Sequence, residues 1–328
     1  MTDVTPEPIL QIASGFLAAK HLFVASEIGL FEKLAEGPST LDELTKRAGI
    51  PRRTLRITVD AMTALGIVER QGDRYSNGSA AATFLSGAGG PDLRPFLRFW
   101  NRLSYPRWMR LEDAIRTDEM IFGKSSFSDQ EQKLYSEGVE AVTAGTAHAL
   151  AETYNFRPHQ RLLDLGGGTG SFLIPILSRF GNLQATLFDL PAVASAARRH
   201  LAQTPHESRI RMVEGDFFRD PIPKGHDAII IANIIHCFPA DLAQELLRRV
   251  ANCVSVGTRI LLVDFWTNVT HTVPIFAALM AGEFLLTPGR GDVYSVEEAE
   301  RWFGQIGWRH VEHRPLAGPA SLLVAEAE

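Results

Sequence analysis

The stretch that most constrains this chain is R-L-L-D-L-G-G-G-T-G-S-F, residues 161–172. A short apolar run, 162–165, meets four glycines within five residues, and a helix is expected from near Ser171. That is how a strand turns sharply into a helix. Gly166, Gly168 and Gly170 tolerate backbone angles closed to other residues and remove Cβ atoms that would block a ligand. A helix starting there would add unpaired N–H groups aimed at the same place. The spacing is G-x-G-x-G, with Ser171 where the dinucleotide-binding G-x-G-x-x-G pattern has its last glycine. The loop points to a nucleoside-bearing cofactor.

From Pro158 onward, apolar strands alternate with amphipathic helices, the pattern of a parallel sheet covered on both faces. Strands are expected at 162–165, 185–188, 210–214, 228–232, 260–264, 308–313 and 322–325. The connection at 314–320 is too short for a parallel crossover, so the last strand should be antiparallel. The expected fold class is therefore α/β, a doubly wound, seven-stranded Rossmann-like sheet. Ligands of such sheets bind at the carboxyl ends of the strands. Those ends carry the glycine loop, then Asp189, placed to accept from ribose hydroxyls. After these come Glu214-Gly-Asp216-Phe217, an acid beside an aromatic suited to adenine, then Asn233-Ile-Ile-His236, and Asp264-Phe265-Trp266. Each taken singly has a plainer reading as a turn, cap or core residue; together they converge on one crevice.

The N-terminal third is helical. Apolar residues from Ile9 to Leu34 recur at helical spacing, with Gly29 as a break. Thr40-Leu-Asp-Glu43 is a capping box for a short helix ended by Gly49. Pro51 starts a second helix, closed by Gly66, and residues 67–75 form a hairpin turning at Gly72-Asp73. Helix, turn, helix and wing resemble a winged-helix unit. Arg52, Arg53 and Arg56 on its second helix would suit DNA, but Asp42, Glu43, Asp60 and Glu69 share the unit and the net charge is −5, so a solvated face is the reading preferred. The apolar helices before it are expected to pair with a second copy of the chain. Residues 78–90, small and polar, read as a loop; residues 93–120 and 130–154 read as helices, with Phe99, Trp100 and Trp108 core or pocket wall.

Two cysteines, Cys237 and Cys253, are too few for a disulfide framework or a cysteine zinc site. No unbroken apolar run of about 18 residues is present, and the acidic, proline-broken start is unlike a signal peptide. The expectation is a cytoplasmic protein without metal, membrane or nucleic-acid partner.

In order and spacing, Leu163-Asp-Leu-Gly-Gly-Gly-Thr-Gly170, Phe188-Asp-Leu-Pro191, Glu214-Gly-Asp-Phe-Phe218, Ile234-Ile-His236, Leu262-Val-Asp-Phe265 and Thr287-Pro-Gly289 with Asp292 resemble the S-adenosylmethionine-dependent small-molecule O-methyltransferases of the plant phenolic and bacterial natural-product type. The resemblance spans nearly the whole chain. It implies a winged-helix dimerisation domain at 1–90, a helical connector contributing to the substrate pocket at 91–157 and a cofactor-binding domain at 158–328. It implies S-adenosylmethionine as cofactor, S-adenosylhomocysteine as product and a homodimer. Gly166 and Gly168 would lie against the methionine part, Asp189 would hold ribose, and Asp216 and Phe217 adenine, with Asp164, Leu190, Gly215 and Asn233 completing the site. His236 matches the general base; Asp264 and Asp292 match the two acids flanking it, which are glutamates in the plant enzymes. Trp100, Met280, Glu283, Phe284 and Thr287 are the candidate substrate contacts, although Glu283 is expected slightly more on the solvent side.

The family commonly carries Asp then Trp after the histidine, where this chain has Cys237-Phe238-Pro239, and Arg290-Gly291 sets Asp292 one residue further from Pro288. Cys237 reads as a small packed residue. The leading function is methyl transfer to a hydroxyl of a small aromatic or polyketide-like molecule. An N- or C-methyltransferase, a cofactor-retaining relative with other chemistry and a winged-helix ligand-sensing regulator are the alternatives. A nicotinamide dehydrogenase is disfavoured by Ser171.

Overall fold

A helix of 21 residues, α1 (Glu7–Glu27), opens the chain, and only Phe23 and Ala25 of it are buried. The structure is a computed structural model that describes residues 4–118, 128–287 and 290–328. By length and composition α1 could cross a membrane. No such stretch was expected, because Gln11, Ser14, Lys20 and His21 interrupt any continuous apolar run while the average stays apolar. Gly29, at φ 68°, separates α1 from α2 (Leu30–Ala35). Next come β1 (Ser39–Thr40) and α3 (Leu41–Ala48), with both bonds of the Thr40–Glu43 capping box formed and Gly49 closing the helix in the left-handed region. A cap of this kind is typically worth about 1 kcal/mol.

The winged unit continues with α4 (Arg52–Ala64), β2 (Val68–Gln71) and β3 (Arg74–Asn77), in a sheet of order β1-β3-β2. Leu30, Phe31, Leu44, Leu55, Val59 and Met62 form its core. On its surface Arg52 pairs with Asp42 at 2.5 Å and Arg56 with Asp60 at 2.8 Å. The loop expected at 78–90 contains a helix, α5 (Ser79–Phe84), because three consecutive alanines favour the helix once Gly78 has set its start.

The helix expected over 93–120 is broken into α6 (Arg94–Phe99), a π-helical turn (Trp100–Ser104), α7 (Tyr105–Trp108) and α8 (Leu111–Thr117). The Tyr105 N–H reaches back five residues to the Trp100 carbonyl, just before Pro106, which has no N–H to continue an ordinary ladder. Residues 119 and 120 lie outside the described residues. α9 (Asp129–Thr153) follows. The chain divides into two compact units, one of residues up to Pro106 with Ser128–Val142 and one of the remainder, so residues 91–157 are shared between the units.

In the second unit all seven expected strands are present: β4 (Arg161–Leu165), β5 (Gln184–Asp189), β6 (Ile210–Glu214), β7 (Ala228–Ala232), β8 (Arg259–Asp264), β9 (Trp308–Pro315) and β10 (Ser321–Ala327). They form one sheet of order β6-β5-β4-β7-β8-β10-β9, with β10 antiparallel to both neighbours, as the short connection requires. Helices α10 (Leu173–Arg179), α11 (Pro191–Leu201), α12 (Ala240–Ala251), α13 (Ile275–Leu286) and α14 (Val296–Gln305) lie between the strands in sequence. Alternate strand residues enter two different cores: Leu163, Ile229, Ile231 and Leu262 one, Leu162, Ile230, Leu261 and Val263 the other. That split is the period of two in a sheet buried on both faces. α10 begins at Leu173, close to the expected start near Ser171, and has only seven residues. The groups facing the crevice at β4 are therefore those of the loop itself.

Candidate active site

The strand order reverses at β4, since β5 and β6 lie on one side of it and β7 and β8 on the other. The crevice at such a reversal is where doubly wound sheets bind ligands. Gly166 has φ 72°, which strains any larger residue, and a Cβ there would lie 2.7 Å from Cδ1 of Ile234. Gly168, at φ 57°, has open space where a Cβ would be, and its N–H donates to Asp189 Oδ2 at 2.9 Å. The other oxygen of Asp189 accepts from the Leu190 N–H at 2.7 Å. Burial raises the Asp189 pKa, and these two N–H groups oppose it. Leu190 itself is half exposed.

Asp164 is buried directly beneath the loop, with Oδ2 2.7 Å from where a Cβ on Gly167 would sit. That oxygen has no hydrogen-bond partner, and burial together with the charge of Asp189 lifts the Asp164 pKa to about 7. At the end of β6, Gly215 is forced by the Phe188 ring, 2.6 Å from its absent Cβ. Asp216 Oδ1 accepts from the Phe218 N–H at 2.8 Å, a turn cap that leaves Oδ2 turned toward Arg219 at 3.7 Å. Phe217 meets Phe218 and Phe238 edge to face and lies 3.6 Å from the Cβ position of Gly166. Asn233 adopts φ 55° and donates its N–H to the Val263 carbonyl. A bare glycine cradle, an orphaned buried carboxylate oxygen and a carboxylate pinned across the loop fit a ligand with an amino-acid end and a ribose.

On the far side of β4, a 3-10 turn (Ile235–Cys237) presents His236, which is buried. Its Nδ1 lies 2.5 Å from Asp264 Oδ1, and its backbone N–H donates to Oδ2 at 3.3 Å. The Phe265 N–H donates to Oδ1 at 2.8 Å, so the carboxylate is held from two segments. With Nδ1–H donating to Asp264, Nε2 is the nitrogen that accepts a proton whenever the ring is neutral. Burial alone would lower the His236 pKa, but the Asp264 carboxylate, helped by Cys237, outweighs it and lifts the value to about 10. The Cys237 thiol reaches the Asn233 carbonyl at 3.6 Å and is half buried, as expected of a small packed residue.

α13 supplies the opposite wall. The Phe284 ring lies on the His236 imidazole with centroids 3.8 Å apart and planes within 13°. Met280 packs with Phe284, Phe265, Ala277 and Val293. Thr287 caps the Phe284 carbonyl through Oγ1 at 2.9 Å. Glu283, expected on the solvent side, is buried, and its Oε2 accepts from the Trp108 indole N–H at 2.5 Å. Helical spacing alone could not show that an indole from another segment arrives to partner it. Asp292 is exposed and caps the Val293 N–H at 2.7 Å without touching His236; the residue against that turn is Gly291. The extra residue in Arg290-Gly291 was the signal for this. Pro288 and Gly289 lie outside the described residues. Trp100 belongs to the first unit, where it meets Phe96 and Phe99 edge to face. The His236–Phe284 stack and the Trp108–Glu283 bond were not foreseen as pairs.

Two family models match the chain: an O-methyltransferase domain over residues 108–309 and an O-methyltransferase dimerisation domain over residues 10–87, which takes in most of α1. Among similar proteins, the tetracenomycin polyketide synthesis 8-O-methyl transferase TcmO of Streptomyces glaucescens is 30% identical, over 97% of this chain and 96% of its own length. The 3-hydroxy-5-methyl-1-naphthoate 3-O-methyltransferase of Streptomyces sahachiroi is 31% identical, over 96% of this chain and 93% of its own. The solved human N-acetylserotonin methyltransferase, in complex with SAM, shares the fold at a TM-score of 0.88 with 22% identity, covering 99% of each chain. A catalytic-domain match over more than half of the chain, joined to its dimerisation domain and to relatives aligned nearly end to end, places this protein in the O-methyltransferase family.

Proposed function

We propose that the protein transfers a methyl group from S-adenosylmethionine to a hydroxyl of a small aromatic or polyketide-like molecule, with His236 as general base. The observation that carries the reading is the His236–Asp264 pair, buried at the strand ends across the crevice from the glycine loop. Asp164, Gly166 and Gly168 would hold the methionine end, Asp189 with the Leu190 backbone the ribose, and Gly215, Asp216 and Phe217 the adenine, with Asn233 closing the floor. When bound, S-adenosylmethionine supplies a methyl group on a positively charged sulfur. The rest falls to this chain's own residues.

Nε2 of His236 takes the acceptor's proton while Asp264 keeps Nδ1–H and offsets the charge that forms on the ring. A phenol near pKa ~10 is mostly protonated at neutral pH. Asp264 makes the neutral ring a stronger base and also leaves a smaller share of it unprotonated at neutral pH, so the rate should rise with pH. Such a base typically contributes ~10²–10⁴ in rate. Alignment by the walls, Phe284 and Met280 among them, supplies further acceleration. Glu283, held by Trp108, lies next to Phe284 in α13 and is the candidate polar contact for the acceptor. Asp292 receives no role beside His236.

The exposed apolar residues of α1, including Ile9, Leu10, Ile12, Phe16 and Leu17, suit burial against a second copy, and a homodimer is the proposed assembly. Sedimentation of the purified protein at the monomer mass would sink it.

The test of function is incubation with cofactor and a panel of phenols, amines and producer-cell extract, read by mass spectrometry for one added methyl. Calorimetry with S-adenosylmethionine and S-adenosylhomocysteine accompanies it. Heat with NAD and none with either would overturn the reading; an added methyl on an amine only would move it to nitrogen.

A further inference from the structure

Two short segments bring the dyad together, the turn carrying His236 and the end of β8 carrying Asp264, and a third segment touches both. Residues 290–296 run past the turn with Gly291 pressed onto it. A Cβ on Gly291 would stand 1.9 Å from the His236 carbonyl oxygen and 3.0 Å from its carbonyl carbon. No side chain fits there unless the backbone moves, and Gly291 is buried. Three residues on, the Tyr294 hydroxyl donates to the Phe238 carbonyl at 2.6 Å, just past the other end of the same turn. Tyr294 is itself held edge to face on Trp302 at 4.8 Å. Burial and the charge of Asp292 push the Tyr294 pKa up, so the hydroxyl stays a donor.

The same segment is tied to the chain leaving β8. The Thr267 N–H donates to the Tyr294 carbonyl at 3.0 Å, and the Val296 N–H donates to the Thr267 carbonyl at 3.1 Å, a parallel bridge three residues beyond Asp264. Val293 packs with Phe265 and Phe284, the two rings nearest the imidazole. At its start Arg290, at φ 58°, pairs with Asp118 at 2.6 Å.

We infer that residues 290–296 form a strap that sets the distance between His236 and Asp264, with Gly291 and Tyr294 as positioning residues. The inference rests on the reading of His236 as the base. A hydrogen bond of 2.5 Å between side chains on different segments persists only if both backbones are held. Displacing the turn lengthens that bond before it disturbs the glycine loop, because the loop is pinned separately through Asp189.

Histidine side-chain NMR on ¹⁵N-histidine protein reads this without any acceptor, with His236→Ala identifying the signal. The groups facing His236 are few. Asp264 is the charged one from β8, Cys237 lies on its own turn, and α13 presents the uncharged Phe284, with Glu283 turned to Trp108. On the strap Asp292 is exposed and Tyr294 is turned to Phe238. In Gly291→Ala and Tyr294→Phe the His236 titration midpoint should fall by about one pH unit or more, in the direction of Asp264→Asn. The affinity for S-adenosylhomocysteine, measured by calorimetry, should stay within about twofold. Midpoints equal to wild type in folded variants would overturn the strap. Tyr294→Phe keeps the ring on Trp302 and decides the matter if Gly291→Ala does not fold. The base reading fails separately, by turnover persisting in His236→Ala.

Discussion

The imidazole of His236 and the ring of Phe284 lie face to face, 3.8 Å between centroids and within 13° of parallel. One is held by Asp264 from β8, the other is fixed in α13, so the stack locks the plane in which Nε2 points. Phe284→Leu keeps an apolar filler and removes the flat face. Turnover of the identified acceptor should fall about tenfold or more with little change in cofactor affinity, since a small misplacement of a catalytic group costs up to ~10² in rate. Equal kcat in Phe284→Leu and wild type would mean that Asp264 alone orients the ring.

The Asp264 carboxylate makes an opposite-signed argument about pH. The base works when Nε2 is unprotonated, so the rate rises as pH rises through the His236 pKa, which stands at about 10 in the folded protein. Asp264→Asn removes the larger of the two groups that raise it and leaves burial, which lowers it, opposed by Cys237 alone. The acid limb of the rate profile should therefore move to lower pH. Its plateau should drop by ~10²–10⁴, because the weaker base takes the proton less readily. A limb that stays in place would separate the rate from His236 titration.

Much of this site was legible in the sequence because strand ends are local features. The apolar runs, the glycines after Leu165 and the polar residues closing each strand follow from period and position, and the sheet order gathers them. What was illegible depended on partners distant in sequence. Glu283 reads as a solvent-facing acid on an apolar helix until Trp108, from another segment, supplies a donor. Asp292 reads as a flanking acid until Gly291, one residue earlier, is found against the His236 carbonyl. A helix was missed where small residues read as a loop: three alanines made one at 79–84.

The Trp108–Glu283 bond gives a stability test. Glu283→Ala leaves the half-buried indole N–H without this acceptor, at a cost of about 1 kcal/mol and at most about 3. Glu283→Gln keeps a carbonyl oxygen in reach of the indole and should lose clearly less. Thermal unfolding distinguishes them: wild type highest, Gln between, Ala lowest. If Gln and Ala fell together, the charge of Glu283 rather than its hydrogen bond to Trp108 would be what the fold uses. If Gln unfolds near wild type yet loses turnover, the carboxylate belongs to acceptor recognition.

Asp164 carries the last prediction, and its sign is the reverse of a paired carboxylate. Its pKa rises from the usual 3.8 to about 7 on folding, first through burial and then through the charge of Asp189. The contribution to stability is therefore complete below about pH 4 and is lost as pH rises through 7, where the folded protein must ionise a carboxyl that has no partner for Oδ2. A shift of that size corresponds to at most about 4 kcal/mol between the two ends of the window. Asp164→Asn has the same shape and never ionises. Its melting temperature should draw level with wild type or fall below it near pH 4 and gain on it steadily toward pH 8. A constant gap between the two proteins across that range would mean that Asp164 does not titrate there. If the gap closes when saturating S-adenosylhomocysteine is added, the bound ligand's amino-acid end partners the ionised carboxylate, and Asp164 is kept for binding at the expense of the empty fold.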